Sequence, residues 1–487
     1  MHRILKIETV MNNPIYQRLA DNLDDQIRQG IYTNGEKLPS VRKLAQQQSV
    51  SVSTVLMSYN LLEDRDLIEV RPKSGYYVKT PLKQSFEAPQ LKHGSVTPKL
   101  VSTSQLVMDV MQTSSMAGAI SFGAASPAAD FPIIQQLKKS FGQLVRSTPF
   151  LGQGYCTHKG DEQLRRMLAQ RAADGHVSVT ADDIIIASGC QGAIGLCLKA
   201  LCKPGDIVAV ESPCYYGLLQ LVESLSLKVI EIPSDPKTGM SIDALQLALE
   251  QWPIKTVLGV PNFNNPLGAQ MPETSKKALV ELINQYQISF IEDDIYGELG
   301  YTHQRPRAVK SYDTQDRVLL CSSASKMLEP QLGLGWIMPG RYMQEVEYQR
   351  FLSASNQFCL PQMAVAEVLN RSSFDRHLRL ARDTYRGRRD HFFKLISEHF
   401  PSDVRLSSPQ GGYVAWLQLP AGLNATELYF DAKSQGIIVA PGEIFSSNAN
   451  KFKSSIRLCY SKAWTPAREE AIALLGTLVQ DKLNQKH

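Results

Sequence analysis

Short apolar strands recur along the chain with helical stretches between them: Asp183–Ala187, Ile207–Glu211, Lys228–Ile232, Thr256–Val260, Phe290–Asp293 and Val318–Cys321. This alternation constrains the fold more than any other feature. Parallel strands need crossover helices, and a sheet covered on both faces needs strands that are apolar along their length. The stretch 116–487 is therefore expected to be an α/β domain built on a mostly parallel sheet.

Two regions precede it. Residues 11–80 hold short helical patterns and end in a strand pair, an α+β module. Residues 81–115 are poorer in pattern, carry Pro81, Pro89, Gly94 and Pro98, and read as a linker. A chain of 487 residues is too long for one ordinary domain, and 43% hydrophobic with 20% charged residues fits globular units. Eleven Lys/Arg face nine Asp/Glu in residues 1–80, so charge alone neither demands nor excludes nucleic acid, and a motif must carry that case. The eight cysteines show no C-x-x-C pair and no zinc spacing, which points to reduced thiols, a cytoplasmic setting and no metal. Met1–Glu8 has no leader-like apolar run, and the apolar uncharged stretch Ile184–Leu198 is too short and too Gly-rich for a bilayer, so no membrane is expected.

In the first module, Ile15, Leu19, Leu23 and Ile27 make one face of a helix over Pro14–Gly30. Ser40 is placed to cap a helix Val41–Gln48, and Ser51 a second helix, Val52–Asp64. Two short helices across a tight turn form a helix-turn-helix. Leu67–Val70, the turn Arg71-Pro72-Lys73-Ser74-Gly75 and Tyr76–Val78 then read as a wing. The second helix would enter the major groove by its N-terminal end, which carries Ser51, Ser53 and Thr54. Arg42, Arg71 and Lys73 would reach phosphates or the minor groove. A small helical domain with ordinary caps is the plainer alternative.

The runs Leu38-Pro39-Ser40-Val41-Arg42-Lys43-Leu44-Ala45, Val50–Val55 and Arg71–Val78 together resemble the GntR-type winged helix over residues 14–79. The resemblance implies double-stranded operator DNA as partner, with Ser40, Ser74 and Gly75 joining the residues above. Val52 departs from the family pattern. Many members place Arg between the two hydroxyl residues, so a direct guanine contact from that position is absent here.

In the larger region, Ser323-Ala324-Ser325-Lys326 directly follows the strand Val318–Cys321. A lysine after a strand is ordinarily a surface residue; its companions change that reading. Pyridoxal 5′-phosphate (PLP) needs a lysine amine for a Schiff base, a carboxylate for its pyridinium nitrogen, and donors for its 3′ oxygen and phosphate. Asp293, at the end of an apolar strand, suits the pyridinium, with a metal site or a solvated strand end as alternatives. Tyr296 and Asn265 suit the 3′ oxygen, although Asn265-Pro266 alone is also a common turn. Gly189, Cys190 and Gln191 open a helix whose N–H groups suit a phosphate. Tyr215 can stack on a pyridine ring or belong to the core. Arg457, inside an apolar strand, needs an anion, either a ligand carboxylate or an internal salt bridge.

The order Tyr155 with Gly160, Gly189-Cys190-Gln191, Tyr215, Asn265-Pro266, Asp293 with Tyr296, Ser323 with Ser325 and Lys326, then Arg457, resembles the fold-type I aminotransferases. Gly411-Gly412 with Trp416, and Pro441-Gly442 with Phe445, resemble the kynurenine/aminoadipate branch. This implies a fold-type I domain with a small C-terminal α+β subdomain, Lys326 as catalytic lysine, and Asn265 and Arg457 as binders of an amino acid or amine. It also implies a homodimer, with Tyr155 reaching the partner's PLP phosphate. Gly333 stands where relatives carry a phosphate-binding arginine seven residues after the lysine; losing such a contact removes roughly 1.5–3 kcal/mol. The combined architecture resembles the MocR subgroup, regulators that sense PLP or PLP joined to an amino compound. Alternatives are a working aminotransferase with an accessory DNA domain, and a regulator whose effector domain no longer binds PLP.

Overall fold

The computed structural model describes residues 14–71, 74–79, 86–91, 97–100, 105–116, 118–147, 157–353 and 358–485. Its chain divides into two compact units, Met1–Ser85 with Tyr301–Gln304, and Phe86–Gly300 with Arg305–His487.

The first unit holds three helices, α1 (Ile15–Arg28), α2 (Val41–Gln47) and α3 (Val52–Asp64), and an antiparallel pair, β1 (Ile68–Arg71) with β2 (Gly75–Val78). The expected caps form: Ser40 Oγ accepts from the Lys43 N–H and Ser51 Oγ from the Thr54 N–H. Each satisfies a backbone donor that the first helical turn leaves open. Leu19, Leu23, Leu44, Val55, Tyr59, Leu62, Ile68 and Val78 make one core. Ile15, expected on the buried face of α1, is instead 55% exposed, because it is the first helical residue and overhangs that core.

In the second unit, strands lie side by side in the order Lys99–Leu100, Lys228–Asp235, Ile207–Ser212, Ile254–Gly259, Ser289–Asp293, Val318–Ser323, Leu334–Met338 and Ile185–Ser188. The four neighbouring pairs from Lys228–Asp235 through Val318–Ser323 are parallel, and Leu334–Met338 runs antiparallel to both its neighbours. One core packs the helix Gly189–Leu201 and its neighbours on one sheet face. A second packs Ile242–Gln251 and Glu273–Gln285 on the other. This double covering explains why the strands are apolar throughout. A smaller sheet, Arg405–Leu406, Val414–Gln418, Ser455–Cys459 and Ala440–Pro441 in that order, forms a subdomain with the long helices Ser372–His399 and Pro466–Asn484.

The stretch 81–115, expected as a linker, carries structure over most of its described residues. Leu406 N donates to the Glu87 carbonyl, Phe86 meets Phe393 edge-on, and Lys99–Leu100 pairs with the main sheet. Helix α4 (Gln105–Ser114) buries Val107, Val110 and Thr113, and Asp109 accepts from Tyr429 Oη and Lys433 Nζ. Pro and Gly upstream masked this short apolar face. Among the described residues, six cysteines are free thiols and Cys359 is disulfide-bonded, which corrects the expectation of thiols throughout. Among the described residues, no helix is long and apolar enough to cross a membrane.

Candidate functional sites

A cavity of about 260 Å³ opens at the C-terminal ends of the parallel strands, where open α/β sheets bind ligands. Asp293 ends one strand and Ser323 the next, with Ser325 and Lys326 just beyond. Gly189, Cys190 and Gln191 start the helix after Ile185–Ser188. These residues, with Tyr215, Asn265 and Tyr296, line the same cavity.

Lys326 Nζ donates to the Ala125 carbonyl at 2.7 Å. Burial pulls the pKa of its ammonium down, against the attraction of Cys459 and Asp293, so the neutral amine is more accessible than on an ordinary lysine. Asp293 is buried and forms no salt bridge among the described residues. Its Oδ1 accepts from Cys190 Sγ at 3.2 Å and from the Ile295 N–H at 3.1 Å. Burial pushes its pKa up to about 6. A carboxylate in this state is the partner that a cation in the cavity requires. The solvated strand end is thereby excluded. Among the described residues, no group of three or more His, Cys, Asp or Glu side chains stands together as a metal cage.

Other buried polar atoms lack partners. Asn265 Oδ1 and Tyr296 Oη have no hydrogen-bond partner among the described residues. Arg457 is fully buried; its Nη2 donates to the Gly123 carbonyl at 2.8 Å, while Nε and Nη1 have no partner among the described residues. It makes no internal salt bridge among the described residues, and its guanidinium stands 5.6 Å from the Phe445 ring centre. Unpaired buried groups cost about 1–3 kcal/mol each, more when charged, so a cluster of them marks the place of a polar ligand.

The start of the helix Gly189–Leu201 has no side-chain cap. Gly189 has φ +72°, and a Cβ on it would meet nothing within 4 Å, so its backbone faces open space. Uncapped N–H groups at a helix start suit a phosphate. Of the expected phosphate residues, Cys190 turns its thiol to Asp293 and Gln191 donates from Nε2 to the Gly217 carbonyl, so any phosphate contact from them is through the backbone. Tyr215 packs on Tyr216 with ring centres 4.6 Å apart. Gly333 lines a neighbouring cavity of about 680 Å³ rather than this one. Tyr155 lies outside the described residues.

Some participants were invisible in the sequence. Met111 of α4 lines the cavity and accepts from Tyr216 Oη at its sulfur. Ala125 supplies the carbonyl for Lys326 from 201 positions away. The Cys190 thiol, held protonated by burial and by Asp293, acts as a donor. Only the helical spacing of Val107, Val110 and Met111 could have signalled any of these.

In the first unit, Arg42, Ser51 and Ser53 are exposed. The Ser51 hydroxyl, already an N-cap, also bonds Ser53 Oγ and Thr54 Oγ1 at 2.7 and 2.8 Å. In the wing, the Arg71 guanidinium bonds Glu69 and stands 4.2 Å from the Tyr77 ring centre, and the Ser74 hydroxyl bonds that of Tyr77. Gly75 has φ +121°, a turn conformation that favours glycine. Lys73 lies outside the described residues.

The sequence model of aminotransferase class I and II matches residues 138–473, and that of bacterial regulatory proteins of the gntR family matches residues 15–78. The chain is 39% identical to the uncharacterized HTH-type transcriptional regulator YjiR of Escherichia coli (strain K12), over 95% of this chain and 98% of that protein. It is 34% identical to YdcR of the same organism, also described as an uncharacterized HTH-type transcriptional regulator, over 96% and 99%. Among solved structures, it is similar to a multiple substrate aminotransferase from Thermococcus profundus, with TM-score 0.72, 26% identity, and coverage of 79% and 96% of the two chains. A Pyrococcus horikoshii kynurenine aminotransferase gives TM-score 0.72 and 27% identity, over 78% and 96%.

Proposed function

Because the chain belongs to the aminotransferase class I and II family and joins that domain to a gntR-family helix-turn-helix, the MocR-type architecture of transcription regulators, we propose that its larger unit holds PLP on Lys326 and reports PLP, alone or with an amino compound, to the DNA-reading unit. One observation carries this reading: Asp293, a buried carboxylate with no salt bridge among the described residues, shares a cavity with the Lys326 amine and with Asn265 Oδ1 and Tyr296 Oη, which have no hydrogen-bond partner among the described residues. Their chemistry fits PLP. Lys326 is the anchoring amine, and its lowered pKa favours the nucleophilic form. Asp293 would pair with the pyridinium nitrogen and hold its proton. Asn265 and Tyr296 would bond the 3′ oxygen. The uncapped N–H groups at Gly189–Gln191, with Ser323 and Ser325, would take the phosphate. Arg457 would take the carboxylate of an amino acid effector. When bound, PLP supplies an electrophilic carbonyl to amines and an electron sink.

The DNA-reading unit binds operator duplex through α3 and the wing. The chain acts in the cytoplasm as a homodimer; the exposed Phe351, Leu352 and Phe358 of the larger unit supply an apolar surface for self-association. A regulator senses and an enzyme turns over, so sustained keto-acid formation from an amino donor would replace this reading with the aminotransferase one.

The test is absorbance of the purified full chain with PLP, followed by borohydride reduction and peptide mapping. The expected result is a band characteristic of lysine-bound PLP, label on Lys326, and loss of both in Lys326→Ala. Absence of band and label with excess PLP would refute the cofactor assignment.

A further inference from the structure

Helix α3 has two apolar faces, and only one is used by its own fold. Val55, Tyr59 and Leu62 are buried in the core of the first unit. On the outer side, Val52, Leu56 and Met57 are 47%, 39% and 48% exposed. Single exposed apolar residues are ordinary. Here Val52 and Leu56 stand at spacing i, i+4 in the first two turns of one helix, so they lie on one stripe, while Met57 lies about 100° further round the helix, beyond Asn60 and Ser53.

The chemistry of the stripe narrows what it can read. From Val50 through Leu62 the chain has no charged residue. The face therefore has no arginine or lysine for the guanine edge and no carboxylate for the cytosine amine. The Ser51 hydroxyl is spent inside the helix cap. Beyond Ser53 and Asn60, the stripe offers alkyl groups. The one alkyl group on a major-groove base edge is the thymine C5-methyl. Exposed Arg42 and Lys43 on α2, and exposed Arg71 in the wing, where it also bonds Glu69, add cations on the elements that flank α3 in sequence. Cations at the edge for phosphates and an uncharged centre for bases match the surface of a duplex.

Resting on the DNA-binding reading above, we propose that Val52 and Leu56 set operator specificity by packing on thymine methyl groups in the major groove. A half-site then requires thymines at fixed positions, recognised by burial of methyl groups rather than by hydrogen bonds. Losing one buried methyl weakens binding about fourfold.

The experiment uses the full chain. An operator is selected from a random duplex library, and each half-site thymine is replaced in turn by deoxyuridine, which lacks only the C5-methyl. Affinities are measured by fluorescence anisotropy for the natural chain and for the Val52→Ala, Leu56→Ala double variant. Both positions are exposed and alanine is the best helix former, so the variant keeps the fold; circular dichroism checks it. The expected result is a loss of about fourfold at one or more deoxyuridine positions for the natural chain, and equal affinity for both duplexes in the variant. Equal affinity in the natural chain, with binding retained, overturns this proposal alone. A deoxyuridine loss that persists in the variant overturns it too, as does a variant that keeps the loss but changes oligomeric state. No selected operator and no salt-sensitive retention removes the DNA-binding reading and this proposal together.

Discussion

Asp293 is held in the fold at a cost. Its pKa is raised from the ordinary 3.8 to about 6, so between these values the folded chain binds more protons than the unfolded one. The sign follows from linkage: this residue's contribution to stability is greatest below about pH 4, weakens as pH rises toward 6, and stays at its least favourable value above 6. Asp293→Asn removes the buried charge and keeps an oxygen for the Cys190 and Ile295 donors. Without PLP at pH 7.5 the variant is expected to be more stable by roughly 2 kcal/mol, read as a higher midpoint in urea. With PLP that advantage is expected to shrink by about 1.4 kcal/mol or more, because the pyridinium would lose its counter-charge and affinity fall at least tenfold. A variant that is less stable without PLP and binds it normally would show that Asp293 has another role. Lys326, Asp293 and Asn265 were legible in the sequence because each follows an apolar strand in a fixed order. The Ala125 carbonyl and the Cys190 thiol were not, because a backbone acceptor carries no sequence signature and a cysteine at a helix start has no single meaning.

At the scale of elements, strands buried between two helical layers must be apolar throughout, and such runs are easy to see. Helix α4 is the counter-example. Its buried face is narrow, and its polar anchors, Tyr429 and Lys433, lie more than 300 residues away. The hydrogen bond from Lys433, then that from Tyr429, lowers the Asp109 pKa, so this contribution is present at neutral pH and is lost as pH falls through the lowered value. The carboxylate is largely solvated, which limits its worth. Asp109→Ala is expected to cost about 1 kcal/mol or less, with faster amide hydrogen exchange confined to residues 105–114. Unchanged exchange there would mean that Val107 and Val110 alone hold the helix. Because Met111 reaches the cavity from α4, a bulkier or charged substitution such as Met111→Glu is expected to lower PLP affinity by about tenfold or more without loss of fold. Normal PLP titration of a folded Met111→Glu chain would remove α4 from the site.

The chain joins the cavity that holds Lys326 to a gntR-family helix-turn-helix, and a ligand shifts DNA binding only by as much as its affinity differs between two states of the chain. Lys326 is where that difference must enter if PLP is sensed rather than merely stored. The most direct measurement is operator affinity of the full chain with and without PLP, for the natural protein and for Lys326→Ala. PLP is expected to change the natural chain's Kd by about 5- to 150-fold, whereas Lys326→Ala binds with the PLP-free affinity under both conditions. An unchanged Kd in the natural chain, or a full PLP effect surviving in Lys326→Ala, would contradict PLP sensing through Lys326.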